Sequence, residues 1–491
     1  MSTQTPSAGG PLSSRAGCAQ LRSPPDARRA LPGSARPRRA PAALLALLSA
    51  TLPLASSLHG AEALTPAEVQ RILRLARPEA PPPDETSRVA DDPRAAALGR
   101  RLFEEPRLSF DGSFSCTSCH DPARHFTDGR AVAMGRVERE RSTPSLLDVA
   151  WQRWLNWDGS ADTLWGQALD PIEHPDELAG DRLSVARLIA GDAAYRDAYE
   201  AIFGPLPSVD WGALPTRARP WPRQVRRPPS DGGGAAGSAA DELDLAWRAI
   251  PEPLREIIDT IFVNVGKSIA AFERTLRWPE SPFDRFVAAL RRGDGDAAAK
   301  LSPAALRGAR LFIGDANCRL CHNGPLLSDG EFHSVGIPPR EGPAPRDPGR
   351  FAGAELLVNS PFNAIGRFSD DPTGPRGERV RTLARSPETW GQFRTPSLRG
   401  VARTAPYMHA GQFATLHDVV RFYSTLEGQV IAGHHRETVL EPLGLSDAQI
   451  DDLVAFLESL GPGSDAAGER SVFPQPERAV PPMGGATSEF P

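Results

Sequence analysis

The sequence predicts a mainly α-helical protein of two similar domains with long irregular loops. Three observations predict it. Apolar residues recur at steps of three and four in several segments, and a short unit occurs twice, at residues 98–103 and 307–312. Proline is abundant, 50 of 491 residues, about twice its usual ~5% share. That length fits two or three domains of ~150 residues. A hydrophobic content of 40% with 24% charged residues is ordinary for a globular protein and too polar for a multi-span membrane protein. The formal net charge of -5 argues against a general nucleic-acid binder.

Residues 1–63 read as a secretory signal region. Arg36, Arg38 and Arg39 precede an apolar run from Ala42 to Leu48, and Ala61-Glu62-Ala63 fits the small-x-small cleavage pattern. The run is shorter than the ~20 residues a membrane span needs. Without this region, 49 basic face 59 acidic side chains, a net charge of -10. Export to the periplasm is therefore expected, with no membrane span in the mature chain.

Helices are expected where the apolar period holds. Ile257, Ile258, Ile261, Phe262, Val265, Ile269, Phe272 and Leu276 form one stripe. Leu416, Val419, Val420, Tyr423 and Leu426 form a second, and Ile450, Leu453, Val454, Leu457 and Leu460 a third. Three stretches lack such a pattern: a flexible insertion at about 214–240, a loop at 338–350 with five prolines, and a disordered tail at 462–491.

The cysteines decide the chemistry. One of the five, Cys18, lies in the signal region; the others form Cys116-Thr-Ser-Cys119-His120 and Cys318-Arg-Leu-Cys321-His322. C-x-x-C-H is the attachment signature of c-type haem: each thiol adds to a vinyl group and the adjacent His ligates the iron. A thiol-redox motif explains neither histidine, and a zinc site with two C-x-x-C pairs leaves both idle. Leu98-Gly-Arg-Arg-Leu-Phe103 precedes the first motif and Arg307-Gly-Ala-Arg-Leu-Phe312 the second. Two cytochrome-c-like haem domains are thus expected: 64–295, and 296–461.

With these motifs in view the chain resembles the bacterial dihaem cytochrome c peroxidase and MauG family, from about Pro93 to Leu460. Segments 98–129, 141–178, 308–325 and 393–423 carry the resemblance. It implies that the first domain reduces hydrogen peroxide while the second transfers electrons.

The resemblance also implies roles for individual residues. The family's distal acid/base is a Glu twenty residues after a Trp-Asp-Gly tryptophan; here that Trp is Trp157 and the count lands on Glu177. Spacing alone leaves Glu177 one of several loop acids, Asp176 beside it. Gln167 and Pro171 take the other distal-pocket positions, and Trp157 bridges the haems. In many relatives a loop His caps the first haem until the second is reduced. Arg136 stands there, and arginine does not ligate iron, so the first haem is expected to be permanently open. Met134 and His125 are weaker substitutes for the cap.

At the second haem, the peroxidase branch has a Met fourteen residues after the Pro-Tyr-x-His histidine, here His409; this chain has Tyr423. No Met lies between Met408 and Met483. A thioether raises an iron potential, whereas a phenolate favours higher oxidation states. The resemblance further implies calcium on the carbonyls of Thr404 and Pro406, with Ser142 where the family has Asn, a weaker hard-cation ligand. His333 and His409 are expected at propionate or packing contacts; His174, His417, His434 and His435 as exposed side chains; Trp151, Trp154 and Trp165 in the core or on the surface.

The expected activity is that of a peroxidase fed by a small cytochrome c or cupredoxin. A MauG-like oxidation of Trp or Tyr residues on a partner protein is the alternative, and Tyr423 and Arg136 favour it. A non-catalytic electron-transfer cytochrome is a third reading, which leaves Glu177 without a role.

Overall fold

The computed structural model describes residues 64–220, 237–340, 342, 347–430 and 437–462. The expected signal region, the tail beyond residue 462, His434 and His435 lie outside them. Among the described residues there are thirteen α-helices and one two-stranded sheet. None of the helices is long and apolar enough to cross a membrane.

In chain order the helices are α1 (Pro66–Leu73), α2 (Pro93–Phe103), α3 (Leu164–Glu173), α4 (Arg182–Gly191), α5 (Ala193–Phe203), α6 (Gly237–Ala249) and α7 (Glu252–Glu273). They continue as α8 (Pro282–Arg292), α9 (Pro303–Ile313), α10 (Arg350–Val358), α11 (Pro375–Arg381), α12 (Leu416–Thr425) and α13 (Asp447–Glu458). Their starts are set by side-chain oxygens that accept from orphan N–H groups of the first turn: Asp92 for α2, Thr163 for α3, Asp181 for α4, Ser302 for α9 and Ser446 for α13. The strands β1 (Phe332–His333) and β2 (Phe393–Arg394) pair antiparallel, Phe332 opposite Arg394.

The apolar stripes collect into two main cores. The larger gathers α2, α3, α4 and α7, with Leu102, Phe103, Trp165, Phe262 and Ile269 fully buried. The second gathers α9, α12 and α13 and takes in α1 and α8, through Ile72, Phe283 and Phe286. Both of those helices precede the boundary expected near residue 295, so the cores do not divide where the chain was expected to divide. A linear reading of the repeat could not see that α1 returns to the second core.

The repeated unit has a physical reason. Gly99 on α2 lies against α7 so tightly that a Cβ there would sit 1.8 Å from the Ser268 carbonyl oxygen. Gly308 on α9 lies against α13 in the same way, 1.9 Å from the Asp452 carbonyl oxygen. Four residues on, Phe103 packs on Phe272 and Phe312 on Phe456, with ring centroids 5.3 and 4.9 Å apart. Each half thus crosses two helices at a glycine and locks them with a phenylalanine.

Two expected loose stretches are tighter than their composition suggested. Within the insertion, Arg217 pairs with the α4 cap Asp181 at 2.8 Å and Ala218 is buried; α6 begins at Gly237, and residues 221–236 lie outside the described set. In the proline-rich loop, Asp347 pairs with Arg141 at 2.8 Å. Buried or partly buried ionic anchors can order segments that carry no apolar pattern.

The glycine crossing gives a stability test. Gly308→Ala forces α9 off α13 and is expected to cost about 1–3 kcal/mol. Gly191→Ala, at the open end of α4 with nothing within 4 Å of the new methyl, is expected to be neutral or stabilising by about 0.5–1 kcal/mol. Chemical denaturation of the two variants checks the contrast.

Candidate functional site

The two C-x-x-C-H motifs fold alike. Cys116–Ser118 and Cys318–Leu320 each make one turn of 3-10 helix, and the His120 and His322 main-chain N–H groups close it on the first cysteine's carbonyl at 2.9 and 2.8 Å. His120 Nδ1 donates to the Phe126 carbonyl at 3.0 Å, and His322 Nδ1 to the Leu327 carbonyl at 2.8 Å. A carbonyl only accepts, so Nδ1 carries the ring proton and Nε2 keeps the lone pair. Phe126 and Leu327 are both fully buried with positive φ, 59° and 50°, an uncommon conformation for such residues. Burial holds both imidazoles below the ordinary histidine range, hence neutral. It also pushes the Cys116 and Cys318 thiols up to about 12. None of the four cysteines is in a disulfide.

Around the second motif lies a cavity of about 470 Å³, bordered by Cys318, Cys321, His322 and Tyr423. Its volume falls in the ~300–1,000 Å³ range of cofactor sites. The walls are largely apolar, including Ile337, Leu398, Val419 and Leu457. Paired thiols, a lone-pair nitrogen and an apolar slot suit a haem. Tyr423 sits on the inward side of α12; burial and the nearby thiols push its phenol well up, so the side chain alone is neutral. Only a bound cation would bring that hydroxyl to ionise near neutral pH. Met408 borders the same cavity, and its carbonyl accepts from the Ser142 hydroxyl at 3.3 Å.

Glu177 lies beside the first motif, near enough to act electrostatically on both Cys116 and Cys119. Burial raises its carboxyl above the usual range, Arg139 opposes this, and Asp176 adds to it. Pro171 is a neighbour through its carbonyl, which accepts from Leu178 N–H at 3.1 Å. Gln167 is turned to Asn156, donating to Oδ1 at 3.4 Å. Trp157 borders the large cavity and a smaller one of about 120 Å³, and its indole N–H donates to the Ser142 carbonyl at 3.0 Å. Ser142, Thr404 and Pro406 all border the smaller cavity, together with Asp128, Arg130, Arg394 and Arg399. Three guanidinium side chains against one carboxylate make poor surroundings for a bare cation.

The loop expected to cap the first haem is turned outward. Arg136 pairs with Asp111 at 2.7 Å and lies over the rings of Phe110 and Phe114. Met134 is exposed, and the His125 ring packs on Trp278 with centroids 5.1 Å apart. Trp165 and Trp154 are core residues; Trp151 is half-buried.

Two histidines differ from expectation. His174 is not exposed but buried, with Nδ1 accepting from the Asp176 N–H at 3.1 Å; burial and Arg139 push it down to about 4. The turn after α3 folds the ring inward, which composition alone does not reveal. His333 is gripped by two carboxylates, Asp329 at 2.9 Å and Glu437 at 2.8 Å, and is pushed up to about 11. His409 stacks on Phe393 at 3.8 Å and is pushed down to about 4 by burial. His417 is exposed, as expected. Sequence reasoning missed Arg139, Asp347 and Glu437: the first sits in an Arg/Glu-rich run and the second in the proline-rich loop, where neither stands out.

A family model for di-haem cytochrome c peroxidase matches residues 93–220. The chain is 31% identical to the cytochrome-c peroxidase IdrP1 of Pseudomonas sp. (strain SCT), over 75% of this chain and 82% of that one. It is also 31% identical to the methylamine utilization protein MauG of Paracoccus denitrificans (strain Pd 1222), over 77% and 90%. Among solved structures, a MauG-like protein associated with microbial copper homeostasis matches with a TM-score of 0.52 and 27% identity, over 81% of this chain and 98% of that one.

Proposed function

The chain belongs to the di-haem cytochrome c peroxidase family, and from that premise we propose that it is a periplasmic peroxidase with two covalently bound haems c. The reaction is H2O2 + 2 e⁻ + 2 H⁺ → 2 H2O. When bound, the irons supply the redox chemistry. Cys116, Cys119 and His120 hold the reactive haem; Cys318, Cys321, His322 and Tyr423 hold the second. Both histidines would offer Nε2 to an iron, kept free by the Nδ1–H bonds to Phe126 and Leu327. Glu177 takes the proton from the near peroxide oxygen and delivers it to the far one. Gln167 and Pro171 line that pocket, and Trp157, which borders both cavities, is the electron bridge. Calcium at Ser142, Thr404 and Pro406 has no part in this reading, because Arg130, Arg394 and Arg399 border the same cavity.

The observation that carries the reading is an asymmetry between two otherwise matching motifs. One has the Glu177 carboxyl beside its cysteines, and the other shares its cavity with a tyrosine. Electron paramagnetic resonance of the resting enzyme tests it, with one open and one six-coordinate ferric centre expected. Two equivalent saturated centres would overturn it.

Tyr423 favours a second use of the same machinery, oxidation of Trp or Tyr residues on a partner protein. An anionic oxygen ligand makes the second haem a poor electron store and a good holder of oxidising equivalents. Steady-state turnover with a reduced small cytochrome c or cupredoxin separates the two uses.

Three outcomes are expected. Glu177→Gln slows the reaction of resting enzyme with peroxide by roughly 10²–10⁴-fold in stopped flow, with both haems still attached. Tyr423→Met raises the potential of the second haem in a spectroelectrochemical titration. Because Arg136 cannot cap the iron, unreduced enzyme consumes peroxide at the same initial rate as enzyme pre-reduced by one electron.

A further inference from the structure

The loop that carries Arg136 carries a second arginine three residues on, Arg139. Residues 133–141 double back on themselves: Ala133 N–H donates to the Arg141 carbonyl and Arg139 N–H to the Ala133 carbonyl, each at 2.8 Å. This small hairpin is seated directly on the Glu177 turn. Arg136 N–H donates to the Asp176 carbonyl at 2.8 Å, and a Cβ on Gly135 would lie 2.3 Å from that oxygen and 3.2 Å from the Glu177 Cα. Glycine at 135 is therefore what lets the hairpin come this close.

From this seat the Arg139 guanidinium spreads over three groups. One terminal nitrogen pairs with Asp176 Oδ2 at 2.7 Å. The other lies 3.4 Å from Glu177 Oε1 and 3.2 Å from His174 Nε2. Those last two approaches are not equivalent. His174 already accepts at Nδ1 from the Asp176 N–H, so a neutral ring carries its proton at Nε2 and cannot accept there. The guanidinium nitrogen only donates, so its attraction is to Glu177 Oε1, an ion pair at 3.4 Å, with the buried imidazole alongside.

We propose that Arg139 is the positioning residue for Glu177: from the hairpin seated on the Glu177 turn, its guanidinium pairs with Oε1 and fixes the carboxylate where it meets the substrate. The proposal rests on the reading of Glu177 as the proton carrier. The charged and titratable groups around Glu177 are Asp176 and His174 on its own turn and Arg139 on the hairpin; the Cys116 and Cys119 sulfurs on the facing turn would not titrate once joined to haem. Asp128 and Arg130 act on Cys119 from the next turn, and Arg136 and Asp111 neutralise one another. Arg139 is thus the cation that counters both burial and Asp176. Without it the carboxyl holds its proton to higher pH, and a protonated carboxyl cannot accept one from peroxide.

The experiment uses the full-length holoenzyme with Arg139→Gln, Arg139→Lys and Glu177→Gln. Two quantities are followed against pH: the second-order rate of resting enzyme with hydrogen peroxide, and the infrared carboxyl band that Glu177→Gln abolishes. Arg139→Gln is expected to slow the reaction about tenfold near neutral pH, to move its acid limb to higher pH, and to shift the titration of that band the same way. Arg139→Lys, which keeps the charge and loses the fork, is expected to restore the limb and the band while recovering the rate only in part. An unchanged limb and band in Arg139→Gln overturn the proposal. If Glu177→Gln itself keeps the parent rate, the proton-carrier reading falls, and the positioning proposal falls with it. Should Arg139→Gln not fold, the Lys variant decides, since full recovery of the parent rate would mean that the fork does nothing.

Discussion

Both halves of the molecule depend on one hydrogen bond, from a partly buried imidazole Nδ1–H to a main-chain carbonyl five or six residues on. An imidazole can ligate a metal through either nitrogen. Committing Nδ1 to the carbonyl of Phe126 or Leu327 leaves only Nε2 and fixes the plane of the ring. The left-handed backbone at Phe126 and Leu327 aims each carbonyl at the ring. Such strain persists only where the surroundings hold it, and both side chains are fully buried in their cores. Removing the apolar side chain would therefore loosen the imidazole without touching it.

Given two equivalent ligand positions, function comes from what surrounds them. Beside the Cys116 turn the polar groups are acidic: Glu177 and Asp176, both paired with the Arg139 guanidinium. Near His322 they are locked: His333 is clamped between Asp329 and Glu437, and Tyr423 stays a neutral phenol until something cationic approaches. A site that must move protons needs groups whose charge can change, and a site that must hold an electron or a hole needs fixed surroundings. On the proposed roles, the distribution of side chains follows that division.

Much of this was legible beforehand, for identifiable reasons. The C-x-x-C-H motifs carry their chemistry in consecutive residues, so no fold is needed to read them. The five-residue stripe from Ile450 to Leu460 is buried throughout, as its period implied. The resemblance pointed to Glu177 by spacing, and the fold does bring it to the Cys116 turn. What was not legible depends on contacts between distant or unpatterned segments. Arg139 sits among alternating Arg and Glu that read as a solvated face. Asp347 hides between prolines, and its partner Arg141 is 206 residues away. His174 looked exposed because its neighbours are polar, yet the turn folds its ring inward. The domain boundary suffered likewise, since α1 packs on helices more than 200 residues downstream.

The link between the two sites is itself a polar structure. Trp157 donates to the Ser142 carbonyl, and Ser142 N–H donates to the His409 carbonyl at 2.8 Å. Beside this relay Arg141 joins Asp158 of the Trp157 loop to Asp347 at 2.7 and 2.8 Å, lying over the Phe393 ring on which His409 stacks. A hydrophobic contact at this seam would leave the two loops free to slide, because dispersion has little directional preference. Hydrogen bonds and a partly buried ion pair do have direction, and leaving one partner unpaired would cost about 3–5 kcal/mol. Electron transfer between fixed centres falls steeply with separation, so a seam that resists sliding has functional value even where it adds little net stability. The polar clasp is better understood as setting the distance between the halves than as the force that joins them.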